Sequence, residues 1–314
     1  MLMPSKAAKV FLCLIAVGAL SACQGMQMPK PRQVMNQSVK AANAGKAQHG
    51  QIATTKTYGP RVSQEVLENI LLPNDIFQTP PNAKGPFPTV VFLHGCGGLA
   101  PNHVDWANWW KARGFAVYAI NSYKGRGWKG PEIKQVCTGH RFTGTERAAD
   151  ALVGLNAIRN NPQVDPNRIV IMGWSHGGWT ALDLMALNPP QSEPPTLTAP
   201  VRTKSGQLAN LGGVRGVITL YPYCGPLAEV QKLGLRARIP LLMLNAGSDR
   251  VVPHEACEAV AARAKQAGFP IQAHTYGGGA DHGYDNKKAG TFQAGARADT
   301  EKRIMGFLGS IGLR

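Results

Sequence analysis

Apolar residues along this chain gather into short continuous runs, separated by longer segments in which they recur every three or four positions. The clearest run is Thr-Val-Val-Phe-Leu at 89–93. It does not alternate with polar residues, so it predicts a strand buried on both faces of a parallel sheet. Runs at 116–120, 168–172, 214–220, 240–245 and 271–276 predict further strands. Helical spacing predicts a helix over 102–113, with Val104, Trp106, Trp109 and Trp110 as its apolar positions. A second opens at Thr145, carries Ala148, Leu152, Leu155 and Ile158, and ends near Pro162. Helices are also expected over 176–187, 251–266 and 292–311. Strand and helix alternate, which is the signature of an α/β fold with a mostly parallel central sheet and helices on both faces. The segment 188–213 departs from this pattern. Pro189, Pro190, Pro194, Pro195 and Pro200 mark it as a short insertion or lid. No internal repeat is present.

The N-terminus follows different rules. Lys6 and Lys9 precede an apolar run at 10–20, too short to span a bilayer and suited to the core of a signal peptide. The run ends in Leu20-Ser21-Ala22-Cys23. This resembles a bacterial lipobox, which implies removal of 1–22 and lipidation of Cys23. Gln24 rather than Asp follows the Cys, which implies anchorage in the outer membrane facing the periplasm. Residues 23–60 lack periodicity and are expected to form a flexible tether to a globular domain over 61–314. The tether carries Lys30, Arg32, Lys40, Lys46 and Lys56, cations able to rest on anionic headgroups.

Composition adjusts this picture only slightly. The chain has 314 residues, 44% of them apolar, which excludes wholesale disorder. Lys and Arg number 34 against 18 Asp and Glu, a formal charge of +16. Such a balance invites a nucleic-acid partner. The basic residues are scattered, however, and no nucleic-acid-binding signature accompanies them, so none is expected.

The chemistry concentrates where strands end. Gly173-Trp174-Ser175-His176-Gly177 matches GxSxG, directly after one predicted strand and directly before a helix. Glycines at those positions permit a sharp turn that projects the Ser175 hydroxyl above the sheet. A serine hydroxyl needs a base, and the base needs an orienting carboxylate. In this context the expected order is Ser, acid, His. Asp249 follows the strand at 240–245 and His282 follows the strand at 271–276. Asp281 and Asp285 rival Asp249; His254 and His274 rival His282. His94-Gly95-Cys96-Gly97-Gly98 follows the first strand. Its backbone, at Cys96, and the N–H of His176 are the expected oxyanion donors.

Together these segments resemble an α/β-hydrolase of the dienelactone hydrolase-like family, over roughly residues 65–314. The resemblance implies a serine hydrolase acting on a small carboxylic ester or lactone through an acyl-enzyme, without a cofactor. The family prototype has a Cys nucleophile where this chain has Ser175, which points away from true dienelactone substrates. A peptidase or amidase of the same fold is the alternative within hydrolases. A catalytically silent envelope lipoprotein is the alternative outside them.

Gly125 to Gly130 fits GxGxxG, but Pro131 follows at once and no helix is expected to cap a pyrophosphate there. No metal motif is present. Beyond Cys13 and Cys23, four cysteines remain: Cys96, Cys137, Cys224 and Cys257. An exported chain with an even number suggests disulfides. Three connectivities are possible, and 96–137 with 224–257 is preferred because each pair follows neighbouring strands. Cys96 as an alternative nucleophile lacks the strand-to-helix turn.

Overall fold

A computed structural model describes residues 58–313. The expected signal peptide, Cys23 and nearly all of the expected tether lie outside the described residues. The elements are α1 (Gln64–Leu71), β1 (Ile76–Gln78), β2 (Phe87–Leu93), α2 (Pro101–Lys111), β3 (Ala116–Ile120), α3 (Gly130–Cys137), α4 (Gly144–Ile158), β4 (Val164–Trp174) and α5 (His176–Leu187). They continue with β5 (Val214–Leu220), α6 (Glu229–Leu233), β6 (Leu241–Ala246), α7 (Glu255–Gln266), β7 (Ile271–Tyr276) and α8 (Ala294–Ser310).

The seven strands form one sheet in the order β1-β3-β2-β4-β5-β6-β7. All neighbours from β3 to β7 pair in parallel, and β1 lies antiparallel against β3 at the edge. The continuous apolar runs are explained by their two-sided burial. Val91 and Leu93 of β2 face a core shared with α1, α4, α5 and α7. Val90 and Phe92 face the opposite core, built on α2 and α8. The same division holds along β4, where Ile169 and Ile171 face one way and Val170 and Met172 the other.

Several sequence expectations shift here. Val104, read as an apolar helix position, is 60% exposed, while Trp106 and Trp110 are fully buried. Residues 251–254 belong to a loop, and the helix there begins at Glu255. The helix expected from Thr145 begins at Gly144, with Thr143 as its cap. The Thr143 hydroxyl accepts from Glu146 N–H at 3.3 Å and Glu146 returns a bond to Thr143 N–H at 2.6 Å, a capping box. A two-turn helix, α3, does begin at Gly130 despite Pro131, because proline suits the first helical turn. Gly125 serves packing: a Cβ there would meet the Ile70 carbonyl oxygen at 1.9 Å. The insertion at 188–213 has no helix or strand of its own. Its Leu197, Val201, Ala209 and Leu211 pack into the core beside α1 and α4.

Candidate active site

The turn between β4 and α5 places Ser175 above the C-terminal edge of the sheet. Ser175 has φ 52° and ψ −114°, a conformation that L-residues rarely adopt. Its neighbours show why the flanking glycines are required. A Cβ at 173 would lie 2.4 Å from the Gly177 carbonyl oxygen, and one at 177 would lie 1.9 Å from that of Leu93. Ser175 N–H donates to the Leu220 carbonyl at 2.9 Å, which pins the turn to the end of β5.

His282 and Asp249 arrive from the loops after β7 and β6. Ser175 Oγ lies 2.8 Å from His282 Nε2, and His282 Nδ1 lies 2.7 Å from Asp249 Oδ2. A carboxylate only accepts, so the imidazole proton sits on Nδ1 and the Nε2 lone pair faces the hydroxyl. The other Asp249 oxygen accepts from the N–H groups of Val251 and Val252, both at 2.8 Å. The Asp249 side chain is 1% exposed, so its direction is set by protein donors rather than by water.

The rival residues have other partners. Asp281 Oδ1 accepts from the N–H groups of Arg250 and His282, both at 2.8 Å, and its second oxygen meets the Arg250 guanidinium. It therefore ties the acid loop to the base loop. Burial raises its pKa, but these donors outweigh burial and hold the carboxyl below its ordinary range. Asp285 is fully buried. It accepts from Trp106 Nε1 at 2.7 Å, Trp174 Nε1 at 3.0 Å and the Tyr221 hydroxyl at 2.6 Å. The Tyr221 ring lies 4.6 Å from the His282 ring, so Asp285 supports the base from behind. His254 faces Glu255 and Glu258, and His274 packs on Tyr276. Neither is a hydrogen-bond partner of Ser175.

On the other side of Ser175 runs the loop after β2. A Cβ at Gly95 would stand 3.6 Å from Ser175 Cβ, so this backbone passes directly against the serine. Cys96 is half-buried and bonded to Cys137 at the end of α3. Cys224 pairs with Cys257. Both pairings are the preferred ones, and the bond at Cys96 leaves it no free thiol to act as a nucleophile. His176 is buried beside this loop. Its Nε2 lies 2.8 Å from the Phe142 carbonyl, and burial, then Arg147, pushes its pKa down to about 3.

Comparison with known proteins agrees with this architecture. The chain matches the prolyl oligopeptidase family over residues 102–192 and the dienelactone hydrolase family over residues 205–312. The structure of a putative dienelactone hydrolase from Klebsiella pneumoniae subsp. pneumoniae superposes with a TM-score of 0.58 at 16% identity, covering 75% of this chain and 92% of that one. A Thermogutta terrifontis esterase, solved with propionate bound, superposes at 0.55 and 20% identity, covering 76% and 89%. The fold is that of an α/β-hydrolase. The uncharacterized protein YfhR of Escherichia coli K12 is 24% identical over 199 residues, 59% of this chain. The chain spans 62% of the length of that curated relative.

Within the α/β-hydrolase frame, three residues around the site escaped the sequence reading. Tyr221, with φ 39°, directly follows β5 and lies beneath His282. Arg250 joins the acid and base loops. Arg147 lies beneath the first loop. Each is a single polar or aromatic residue outside any motif, and only the position at a strand end could have flagged Tyr221.

Proposed function

We propose that this protein is a serine hydrolase of small carboxylic esters or lactones, similar to the dienelactone hydrolases. The observation that carries the reading is the unbroken relay from Ser175 to His282 to Asp249, at 2.8 and 2.7 Å, on a strained turn at a helix N-terminus. Ser175 attacks the ester carbonyl while His282 Nε2 takes its proton. Asp249 holds the ring and stabilises the imidazolium. The N–H groups of Cys96 and His176 receive the developing oxyanion. His282 then protonates the departing alcohol, and water releases the acyl group by the reverse steps.

The match of 102–192 to the prolyl oligopeptidase family favours a peptidase as the second reading. That segment includes Ser175, whereas the dienelactone hydrolase match contains both Asp249 and His282. The esterase named among similar structures adds support for an ester. We further propose export as a lipoprotein anchored through Cys23, with the mature chain facing the periplasm; unchanged membrane fractionation of Cys23→Ala would reject it.

A fluorophosphonate probe tests the central reading. Stoichiometric labelling that disappears in Ser175→Ala is the expected result, and no labelling of the folded wild type would return the chain to a binding role. A panel of p-nitrophenyl esters and peptide anilides separates the two hydrolase readings. Short esters should be the better substrates; faster turnover of anilides would reverse the preference.

A further inference from the structure

Arg147 lies on α4 and is 0% exposed, yet among the described residues it has no carboxylate as a hydrogen-bond partner. Asp150, one turn further along α4, is taken by Arg126 in a two-pronged pair at 2.8 and 2.7 Å. Arg147 Nη1 instead donates to the His94 carbonyl at 2.6 Å, and the same nitrogen is 3.3 Å from His176 Nδ1. The His176 tautomer follows from its other contact. Nε2 faces the Phe142 carbonyl, which only accepts, so Nε2 carries the proton and Nδ1 offers a lone pair to Arg147. Arg147 Nε donates to the Ser122 hydroxyl at 2.9 Å, which fixes the plane of the fork. Nη2 has no partner among the described residues. The cation also lies 5.9 Å from the centre of the Tyr123 ring.

One guanidinium nitrogen therefore touches the backbone of the loop after β2, at the His94 carbonyl, and the side chain of His176, whose backbone N–H is the other expected donor of the oxyanion hole. His94 is two residues before Cys96, and His176 directly follows Ser175. A buried cation bound only by neutral groups is costly, since its desolvation is not offset by an opposite charge in contact. A field aimed at a developing negative charge is where such a cost has a use, because preorganised positive potential in a dry site lowers the barrier.

We propose that Arg147 is the positioning residue of the oxyanion hole. It holds the loop after β2 against the Ser175 turn and sets a permanent positive charge behind the point where the oxyanion forms. This rests on the serine hydrolase reading above.

The test uses the purified chain with Arg147→Met, which keeps the length and removes the charge, and Arg147→Lys, which keeps the charge and removes the fork. Three quantities are read on a short ester: kcat, KM, and Ki for a trifluoromethyl ketone, which binds as a tetrahedral oxyanion. Arg147→Met should lower kcat about 10²-fold, the scale of losing one oxyanion donor, with KM within a few-fold. Ki should rise by the same factor as kcat/KM falls. Arg147→Lys should recover part of the loss, about tenfold below wild type, because a point charge cannot reproduce the fork. Unchanged kcat in a folded Arg147→Met chain overturns the proposal. So does a loss shared equally by kcat, KM and thermal midpoint with the ratio of Ki to KM unmoved, because a general structural role gives that pattern. Should Arg147→Met fail to fold, Arg147→Lys and Ser122→Ala carry the test by the same ratio. Ser175→Ala run alongside keeps the two ideas apart. Full activity in that variant sinks the assignment of Ser175 as nucleophile, on which this proposal rests, whereas an inactive Ser175→Ala with an unaffected Arg147→Met sinks only this one.

Discussion

The two sides of Ser175 are built differently. On the acid–base side the carboxylate oxygens are accounted for. Asp249 has two N–H donors and one imidazole, Asp281 has two N–H donors and a guanidinium, and Asp285 has two indoles and a phenol. On the oxyanion side, His94 Nε2, Tyr123 Oη and Arg147 Nη2 are buried without a partner among the described residues. That side is held by the Cys96–Cys137 bond, by the packing of Tyr123, Val136 and Phe142, and by the Arg147 contact to the His94 carbonyl. On the proposed function, the difference follows from what each side would have to do. A proton relay needs its groups aimed within a narrow angle, which directional hydrogen bonds supply. An oxyanion hole needs a rigid backbone, which a covalent cross-link and packed rings supply equally well.

The largest effect should come from breaking the relay. Asp249→Asn should lower kcat on the order of 10³–10⁴-fold while the chain stays folded. Asp285→Asn, which alters a carboxylate just as buried, should act on stability instead. Its amide presents N–H groups to other donors, at about 1–3 kcal/mol for each donor left without an acceptor. Denaturation midpoints and kcat on both variants decide the matter. Equal rate losses would show that burial near the base, rather than contact with it, makes a carboxylate functional.

The disulfides sharpen the contrast next. Cys224 and Cys257 are both buried in the core, so replacing that pair with Ala should cost about 2–5 kcal/mol of stability and little of the rate per folded molecule. Replacing Cys96 and Cys137 with Ser should do the reverse, lowering kcat beyond what lost stability explains. Urea midpoints and kcat for the two double variants test this. The same ratio of rate loss to stability loss in both would mean that the first disulfide has no special hold on the site.

The smallest expected effect is a dependence of stability on pH. Burial pushes His103 down to about 4 and His176 to about 3, and holds His94 well below its ordinary value. Arg147 adds to the shift at His94 and His176. These rings stay neutral in the folded chain but bind protons near about 6.5 when unfolded. Between about 6.5 and about 4 the unfolded state therefore holds more protons, and stability falls as pH falls through that window. Above it the rings contribute no slope. Asp75, pushed up to about 6 by burial, and Glu193, also raised by burial, oppose this above their ordinary values, while His274, lowered by burial, adds to it. The thermal midpoint should be lower at pH 5 than at pH 8. A midpoint that rises on acidification would contradict the neutral burial of the three rings His94, His103 and His176.

The same contrast explains what was legible in the sequence. The strands and the serine turn were readable because two-sided burial and close backbone approach each restrict residue type. The choice among Asp249, Asp281 and Asp285 was not settled by composition, since all three follow strand ends or adjoin the base. Asp249 is favoured over Asp281 because Asp281 adjoins His282 in sequence and would have difficulty reaching its Nδ1, and the paths of the loops then bring Asp249 to that nitrogen. Arg147 escaped notice for a related reason. A charged residue on a helix ordinarily faces water, but α4 is covered on nearly every side, with Glu146, Arg147 and Asp150 all buried. Periodicity registers one apolar face and has no term for a helix without an exposed one. The elements α1, β1, α3 and α6 were not expected; β1 and α6, with three and five residues, are too short to show a period.

The backbone of Ser175 has a consequence for how this chain could change over generations. A non-glycine residue at φ 52° costs the native state on the order of 1–3 kcal/mol. Glycine accepts that conformation freely, so Ser175→Gly should melt at a higher temperature than the wild type even after allowing for glycine's looser unfolded chain. A population selected for heat resistance alone would thus find an easy improvement at the one position where accepting it abolishes the nucleophile. Retention of serine there is a debt that only a chemical task keeps open, and drift toward glycine would mark lineages in which that task has lapsed.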